Sequence, residues 1–373
     1  MHEKVMKMII AGGGTGGHLF PGIAIAEELL KRNSANQVLF IGTDRGLEKR
    51  ILRQLGFPLA TLNVEGLKGK GAWGALKSIL KIPGSLLSSF RIIRGFRPNF
   101  VIGVGGYASG PAVLTAWIMG IKTFIAEQNA FPGLTNRILG RFSSHIFLTF
   151  ADSKRWFPEG KTLVTGNPVR TTFTSKQNDI VDENKTFTIL VFGGSQGAHA
   201  INSAVMASLD NLFHLKEKIC FIHQTGDHEL HKVGERYREE GFKAEVYPFI
   251  TEMAAAYRKS DLLLCRSGAT SLAEITAMGK ASVLIPFPFA AADHQTKNAM
   301  ALANAGAAIM IPEKELDGFT LASTIEDLYL HKEKIKKMEI ASASLGRKNA
   351  AAAILDACMD LQSTHGPPGT SAD

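Results

Sequence analysis

Cysteine is scarce in this chain: Cys220, Cys265 and Cys358 are the only three among 373 residues. They are far apart and odd in number, which excludes a disulfide framework and a CxxC zinc site and suits a reducing cytosol. A signal-peptide pattern is missing as well. Glu3 interrupts Met1 to Met8, and Lys7 runs straight into the strand-like stretch Met8 to Ala11, so export is not expected. Uninterrupted apolar spans are also lacking. Phe100 to Ile121 carries no charge over 22 positions, the length of a membrane helix, but Gly103, Gly105, Gly106, Gly110, Pro111 and Gly120 break it. It reads as a buried strand, Phe100 to Val104, a glycine loop, and a helix with Pro111 in its first turn.

The fourth absence is of negative charge in one region. No carboxylate occurs between Glu65 and Glu127, where Lys68, Lys70, Lys77, Lys81, Arg91, Arg94, Arg97 and Lys122 all fall. Up to Arg170 there are 22 Lys and Arg against 9 Asp and Glu, a balance of +13; the remainder carries −5, giving the overall +8. Within the basic region Trp73, Leu76, Ile79, Leu80, Leu87, Phe90 and Ile93 recur at three- and four-residue steps around Pro83-Gly84, the pattern of two short amphipathic helices. Two readings stay open. One is a core-facing helix with a solvated basic face. The other is an interfacial surface for an anionic bilayer, with Trp73, Leu76, Ile79, Leu80 and Phe90 at the acyl boundary and Lys77, Lys81, Arg91 and Arg94 at the headgroups. A basic face also attracts nucleic acid, but no helix-turn-helix, zinc-finger or RRM signature supports that.

Glycine, by contrast, is abundant, with 37 residues. An apolar run over Lys7 to Ala11 leads into GGGTGGH (12–18) and then a helical pattern from Pro21 to Leu30. The plan returns when Phe187 to Phe192 leads into GGSQGAH (193–199) and a helix over Ile201 to Leu209. Further strands are expected at Gln37 to Ile41, Lys122 to Ala126, Lys218 to Gln224, Leu262 to Cys265 and Ala281 to Ile285. Alternating strands and helices predict an α/β protein of two doubly wound parallel sheets, with ligands at the carboxyl ends of the strands. Backbone N–H groups at the start of a helix attract anions, and glycine lets a phosphate approach closely. GGYASGP (105–111) also opens a helix in the basic half, so two loops there suit a diphosphate. A dinucleotide fold remains the runner-up, although Asp44 lies 27 positions beyond Gly17, late for a ribose ligand.

The ordered set GGGTGGH, GGYASGP, EQNAFPGLTNR (127–137), GNPVR (166–170), GGSQGA, RSGATSLAE (266–274) and PFPFAAADHQ (286–295) closely resembles the MurG family. These bacterial transferases move N-acetylglucosamine from UDP-GlcNAc to lipid I. The resemblance covers nearly the whole chain. It implies a GT-B fold, two Rossmann-like domains facing a central cleft. The first, residues 1–166, would hold acceptor and membrane, and the second, 167–345, UDP-GlcNAc. A closing helix over 346–362 would pack back on the first domain, before a disordered tail over 363–373.

Carried over by motif, His18 is the first choice of general base, since an unperturbed histidine side chain has a pKa of about 6.5, and Glu127 the second. Thr15, Gly16, Gly17, Asn129, Arg170, Ser195, Ile250, Ala269, Thr270, Ser271, Leu272, Ala273, Glu274 and Gln295 would serve the donor, with Ile250 at the uracil, Glu274 at the ribose and Gln295 at the sugar hydroxyls. Gly13, Gly14, Gly105, Gly106, Tyr107 and Ser109 would take the acceptor diphosphate. One departure is Ala292, where the family often carries an acidic residue; it bears on contacts beside Asp293. No DxD pair of carboxylates is evident, so neither a catalytic metal nor another cofactor is expected. Implied partners are lipid I, UDP-GlcNAc, anionic phospholipid at the cytoplasmic face of the inner membrane, and proteins of cell-wall synthesis and division. Other UDP-sugar enzymes of this architecture, including a UDP-GlcNAc epimerase, are the alternatives, ahead of an NAD-dependent dehydrogenase.

Overall fold

Short apolar runs that end on glycine or a polar residue become the strands of two parallel sheets. A computed structural model of the protein describes residues 5–44, 47–64, 82–175, 186–194, 196–290 and 293–363. The chain divides into two compact units, Met1–Thr171 together with Arg347–Asp373, and Thr172–Gly346.

In the first unit the strands are β1 (Lys7–Gly12), β2 (Gln37–Gly42), β3 (Leu59–Thr61), β4 (Phe100–Gly105), β5 (Lys122–Glu127), β6 (His145–Leu148) and β7 (Thr162–Val164). They form one sheet in the order β3-β2-β1-β4-β5-β6-β7. The chain runs outward from β1 in one direction and resumes at β4 in the other. The carboxyl ends of β1 and β4 therefore flank a switch point, where crossing helices leave room for a ligand. The register slips by one residue there, between Ala11 and Gly12. Ile9, Val101, Ile125 and Ile146 from successive strands are fully buried against Val113 and Ala116 of the helix Ser109–Ile118. Such all-round apolar strands are typical of a parallel sheet covered on both faces.

The second unit contains β8 (Phe187–Phe192), β9 (Ile219–Gln224), β10 (Lys243–Tyr247), β11 (Leu262–Cys265), β12 (Ala281–Leu284) and β13 (Ala308–Met310). Their order, β10-β9-β8-β11-β12-β13, puts its switch point between β8 and β11. Ile189, Val191, Leu264 and Val283 form the centre of its core with Val205 and Leu209 of the helix His199–Leu212. After Gly346 the chain returns to the first unit. There Arg32, at the end of the helix Gly16–Arg32, donates to Asp356 Oδ1 at 2.7 Å and to the Ala352 carbonyl at 3.1 Å on the closing helix Ala350–Ser363.

Several elements differ from the expectations. The helix expected from Pro21 begins at Gly16, and Pro21 lies inside it. Pro83 and Gly84 form the first turn of the helix Ile82–Phe96 instead of a break ahead of it, and a missing N–H there costs no intrahelical bond. That helix buries Ser85, Ser89 and Ile93, while Ile82, Leu87 and Phe90 are exposed together with Arg91 and Arg94. The Ser89 hydroxyl donates to the Ser85 carbonyl at 2.8 Å, so the buried stripe satisfies its own polar groups. Trp73, Leu76, Lys77, Ile79, Leu80 and Lys81 lie outside the described residues, as do the tail residues 364–373. Among the described residues no helix is long and apolar enough to cross a membrane.

Candidate active site

The switch point of the first unit brings two glycine loops together. The Gly13 N–H donates to the Gly105 carbonyl at 3.2 Å. A Cβ on Gly106, whose φ is +82°, would sit 2.2 Å from the Gly13 carbonyl oxygen, so only glycine lets the two backbones lie against each other. Each loop opens a helix, at Gly16 after Thr15 and at Ser109 after Ala108, and neither start carries a side-chain cap. Uncapped helix starts on paired loops can receive anionic oxygens. Gly14, Thr15 and Gly17 are exposed on the first loop, and Tyr107 on the second. Ser109 is buried and its hydroxyl donates to the Gly106 carbonyl at 3.1 Å, which makes it a brace of the loop.

His18 lies at this junction, half-buried. Its Nδ1 is 3.1 Å from Gln128 Oε1. Gly105, at φ +95°, packs so closely that a Cβ there would fall 2.6 Å from the same nitrogen. Glu127, at the end of β5, is only 3% exposed. Its carboxylate accepts from the Asn129 N–H at 2.9 Å, the Gly133 N–H at 3.2 Å and Asn136 Nδ2 at 2.9 Å. Burial pushes the Glu127 carboxyl up, while these donors and the positive charge of a protonated His18 pull it back. Glu127 thus organises the turn that carries Asn129 and Gln128. On the other side of the loop, the Glu48 carboxylate lies where a Gly13 side chain would be and accepts from the Thr43 N–H at 3.1 Å; burial raises it too. Beyond β7, the Arg170 guanidinium stacks 4.2 Å from the Phe20 ring, and the next residue, Thr171, binds Glu27 through both its N–H and hydroxyl.

The second unit repeats the plan with different supports. Ser195 lies outside the described residues, but its neighbours are held by side chains of β9 and beyond. Gln224 donates through Nε2 to the Gly194 carbonyl and accepts the Ile250 N–H through Oε1, both at 2.7 Å. One buried amide therefore ties the glycine loop to the backbone expected at the base. Gly197 approaches the Thr225 carbonyl so closely that a Cβ would be 1.8 Å from its oxygen. Behind it, Asn202 donates to the Thr225 carbonyl at 3.0 Å and to Glu229 Oε2 at 2.8 Å.

The helix Ala269–Met278 starts uncapped after Gly268 and buries Ala269, Thr270, Leu272 and Glu274, with Ser271 and Ala273 partly exposed. The Glu274 charge lies close enough to Cys265 to help burial raise that thiol. Gln295 falls inside the helix His294–Asn304, two residues into an element expected only from Thr296. Its side-chain oxygen accepts the Phe287 N–H at 3.0 Å, and its carbonyl accepts the Ser267 hydroxyl at 2.8 Å. Asp293, before it, adopts a left-handed φ of +54° and accepts from the Thr296 hydroxyl at 2.6 Å. Ala292 is outside the described residues. Among the described residues no group of three or more His, Cys, Asp or Glu could hold a metal ion.

Sequence reasoning missed the roles of Gln128, Gln224 and Glu48. The available signal was position: Gln224 ends the strand beside the one feeding the glycine loop, and Gln128 follows the end of β5.

Comparison with known proteins gives this geometry its context. Residues 8–148 match the glycosyltransferase family 28 N-terminal domain and residues 188–354 the family 28 C-terminal domain. A protein of Syntrophus aciditrophicus, named UDP-N-acetylglucosamine–N-acetylmuramyl-(pentapeptide) pyrophosphoryl-undecaprenol N-acetylglucosamine transferase, is 57% identical over 356 residues, covering 95% of this chain and 99% of the relative. A Myxococcus xanthus protein of the same name is 49% identical over 366 residues, with 98% and 96% covered. The crystal structure of Acinetobacter baumannii MurG superposes with a TM-score of 0.74 at 29% identity, covering 95% of this chain and 99% of that one. UDP-GlcNAc 2-epimerase from Neisseria meningitidis, at 15% identity and a TM-score of 0.66 over 96% of this chain and all of its own, shares the fold alone. Two Rossmann-like parallel-sheet units of GT-B class, each matched by its own domain model, and near-full-length identity to these transferases show that the chain belongs to glycosyltransferase family 28, within the MurG family.

Proposed function

We propose that this protein transfers N-acetylglucosamine from UDP-GlcNAc to the C4 hydroxyl of undecaprenyl-pyrophosphoryl-MurNAc-pentapeptide, lipid I, giving lipid II and UDP with inversion at the anomeric carbon. Near-full-length identity to transferases bearing that name supports the reading. The structural observation that carries it is the junction of Gly13 and Gly105, where two uncapped helix starts meet beside a half-buried histidine.

The chemistry has two demands. A base must remove the C4 hydroxyl proton as that oxygen attacks C1, and His18 is assigned this step, with Glu127 supporting the turn beside it. Negative charge on the departing diphosphate must also be stabilised as the C1–O bond breaks. The helix starts after the second unit's glycine loops, with Ser195 and Arg170, are assigned to it, and fixed N–H dipoles and a guanidinium meet this demand without a metal. Ile250 serves the uracil, Glu274 the ribose, and Asn129 and Gln295 the sugar. The Gln295 side-chain oxygen already accepts Phe287 N–H, which leaves its NH₂ to donate to a sugar hydroxyl. Gly13, Gly14, Gly105, Gly106 and Tyr107 receive the acceptor diphosphate. The exposed apolar and basic residues of the helix Ile82–Phe96 support peripheral association with anionic phospholipid at the cytoplasmic membrane face.

The test is UDP release from UDP-GlcNAc with and without a lipid I analogue, with UDP-GalNAc as competing donor. Acceptor-dependent release that favours GlcNAc is expected. Conversion of donor to its 2-epimer without acceptor would assign the chain to the epimerase alternative instead.

A further inference from the structure

The hydrogen bonds around His18 determine which of its nitrogens is protonated. Gln128 is 2% exposed, and its Nε2 donates to the Ala126 carbonyl at 3.1 Å. A carbonyl can only accept, so the NH₂ end of the amide must face Ala126 and Oε1 must face His18, 3.1 Å from Nδ1. An amide oxygen likewise only accepts. Nδ1 therefore carries the hydrogen, and a neutral ring keeps its lone pair on Nε2. The close approach of Gly105 to Nδ1 holds the ring against this partner.

We propose that Gln128 is a positioning residue that fixes His18 as its Nδ1–H tautomer and so makes Nε2 the proton acceptor. Free histidine favours the other tautomer, so the protein must supply this preference. A second histidine in the same chain provides an internal reference. Asn202 uses both amide hydrogens on Thr225 and Glu229, so its Oδ1 accepts from His223 Nε2 at 3.1 Å, and the Tyr237 hydroxyl donates to Nδ1 at 3.0 Å. His223 thus holds the opposite tautomer, buried and away from solvent. Of the charged groups near His18, Glu127 acts on the ring electrostatically and Glu48 abuts Gly13 in the same loop.

The kinetic part of this inference rests on the transferase reading; the tautomer does not. Long-range ¹H–¹⁵N correlation on full-length protein labelled at its 11 histidines, with His18→Gln to assign the signal, reads the tautomer directly. Expected are a protonated Nδ1 and bare Nε2 for His18, and the reverse for His223. Gln128→Met removes the acceptor; the His18 pattern then shifts toward Nε2–H, and kcat falls about ten-fold while KM for UDP-GlcNAc holds. Gln128→Glu keeps the acceptor and adds a charge. It retains the tautomer and moves the acidic limb of the kcat/KM profile to higher pH, because a neighbouring carboxylate favours the protonated ring. An unchanged His18 pattern in Gln128→Met, with the His223 pattern intact as proof of folding, overturns the proposal. A shifted pattern with unchanged kcat overturns its role in turnover. Nδ1–H in a wild-type protein without acceptor-dependent transfer sinks the transferase reading and leaves the assignment of Gln128 standing.

Discussion

The two glycine loops end alike, GGGTGGH and GGSQGAH, yet their histidines have different surroundings. His18 is half-buried, held by the Gly105 backbone and the Gln128 amide. His199 leaves 76% of its side chain exposed and pairs with Glu229 at 2.8 Å. The first loop is braced by a second glycine loop, backbone against backbone; the second is braced by Gln224, a side chain from the next strand. Under the proposed function the same strand-loop-helix plan would serve chemistry in one unit and binding in the other. Substituting the two histidines should break the symmetry most visibly. His18→Ala is expected to lower kcat by about 10²- to 10⁴-fold, the usual contribution of a positioned base. His199→Ala should alter kcat less than about two-fold, since an exposed pair contributes little. Steady-state kinetics at saturating substrates checks both, and near-normal turnover in His18→Ala would remove it as the base.

The buried titratable groups sharpen the contrast through pH. His223, fully buried in the second unit, is driven down to about 3 by burial. Unfolded, it titrates near 6.5. Between those values the unfolded chain binds a proton that the native unit does not. The stability is therefore complete above about pH 6.5 and is lost as pH falls toward 3, on the order of 5 kcal/mol in all. Glu127 and Glu48 in the first unit are raised instead, so there the native state holds the extra proton and stability declines as pH rises through their raised values. Hydrogen exchange between pH 4 and 7, corrected for intrinsic rate, should show acid loosening β9 relative to β5. Equal responses in the two sheets would refute the distinction.

A smaller effect is expected at Gln224. Gln224→Leu strips partners from both the Gly194 carbonyl, on the glycine loop, and the Ile250 N–H, on the backbone proposed to serve the uracil. KM for UDP-GlcNAc should rise about ten-fold with kcat within about two-fold, as for loss of hydrogen bonds that serve ground and transition states equally. A fall in kcat at unchanged KM would instead place Gln224 in the chemical step.

These cases also show where sequence reading stops. Most central strands announced themselves as apolar runs: Leu262–Cys265 has the expected bounds and Phe100–Gly105 is one residue longer, whereas the interior strand His145–Leu148 was not expected. The edge strands Leu59–Thr61, Thr162–Val164 and Lys243–Tyr247 did not, because three residues, or a partly exposed alternation, carry little hydrophobic signal. Glycine loops were legible because backbone approach demands glycine. The amides were not, because His18 and Gln128 stand 110 positions apart and nothing local in either says which atoms will face. In the helix Ile82–Phe96 the apolar period did not single out the buried face: Ile93 is buried but Leu87 and Phe90 are exposed, and Ser85 and Ser89 could be buried once their hydroxyls returned to their own backbone.

That helix supplies the mildest expected difference between the units. Leu87 is 50% and Phe90 36% exposed, and the Arg94 guanidinium lies 5.9 Å from the Phe90 ring, an apolar tip beside a cation. If this face meets an anionic bilayer, Phe90→Ser should weaken binding to anionic vesicles about three- to five-fold through lost apolar burial. Arg94→Gln should weaken it about five-fold, the contribution of one cation near such a surface, and leave binding to neutral vesicles unchanged. Turnover of a soluble acceptor should survive both, because neither residue belongs to the loops around His18. Vesicle co-sedimentation beside soluble-acceptor kinetics separates the outcomes: joint loss of binding and turnover would mean that Phe90 supports the fold of the first unit, and indifference to lipid charge in Arg94→Gln would deny this face its electrostatic role.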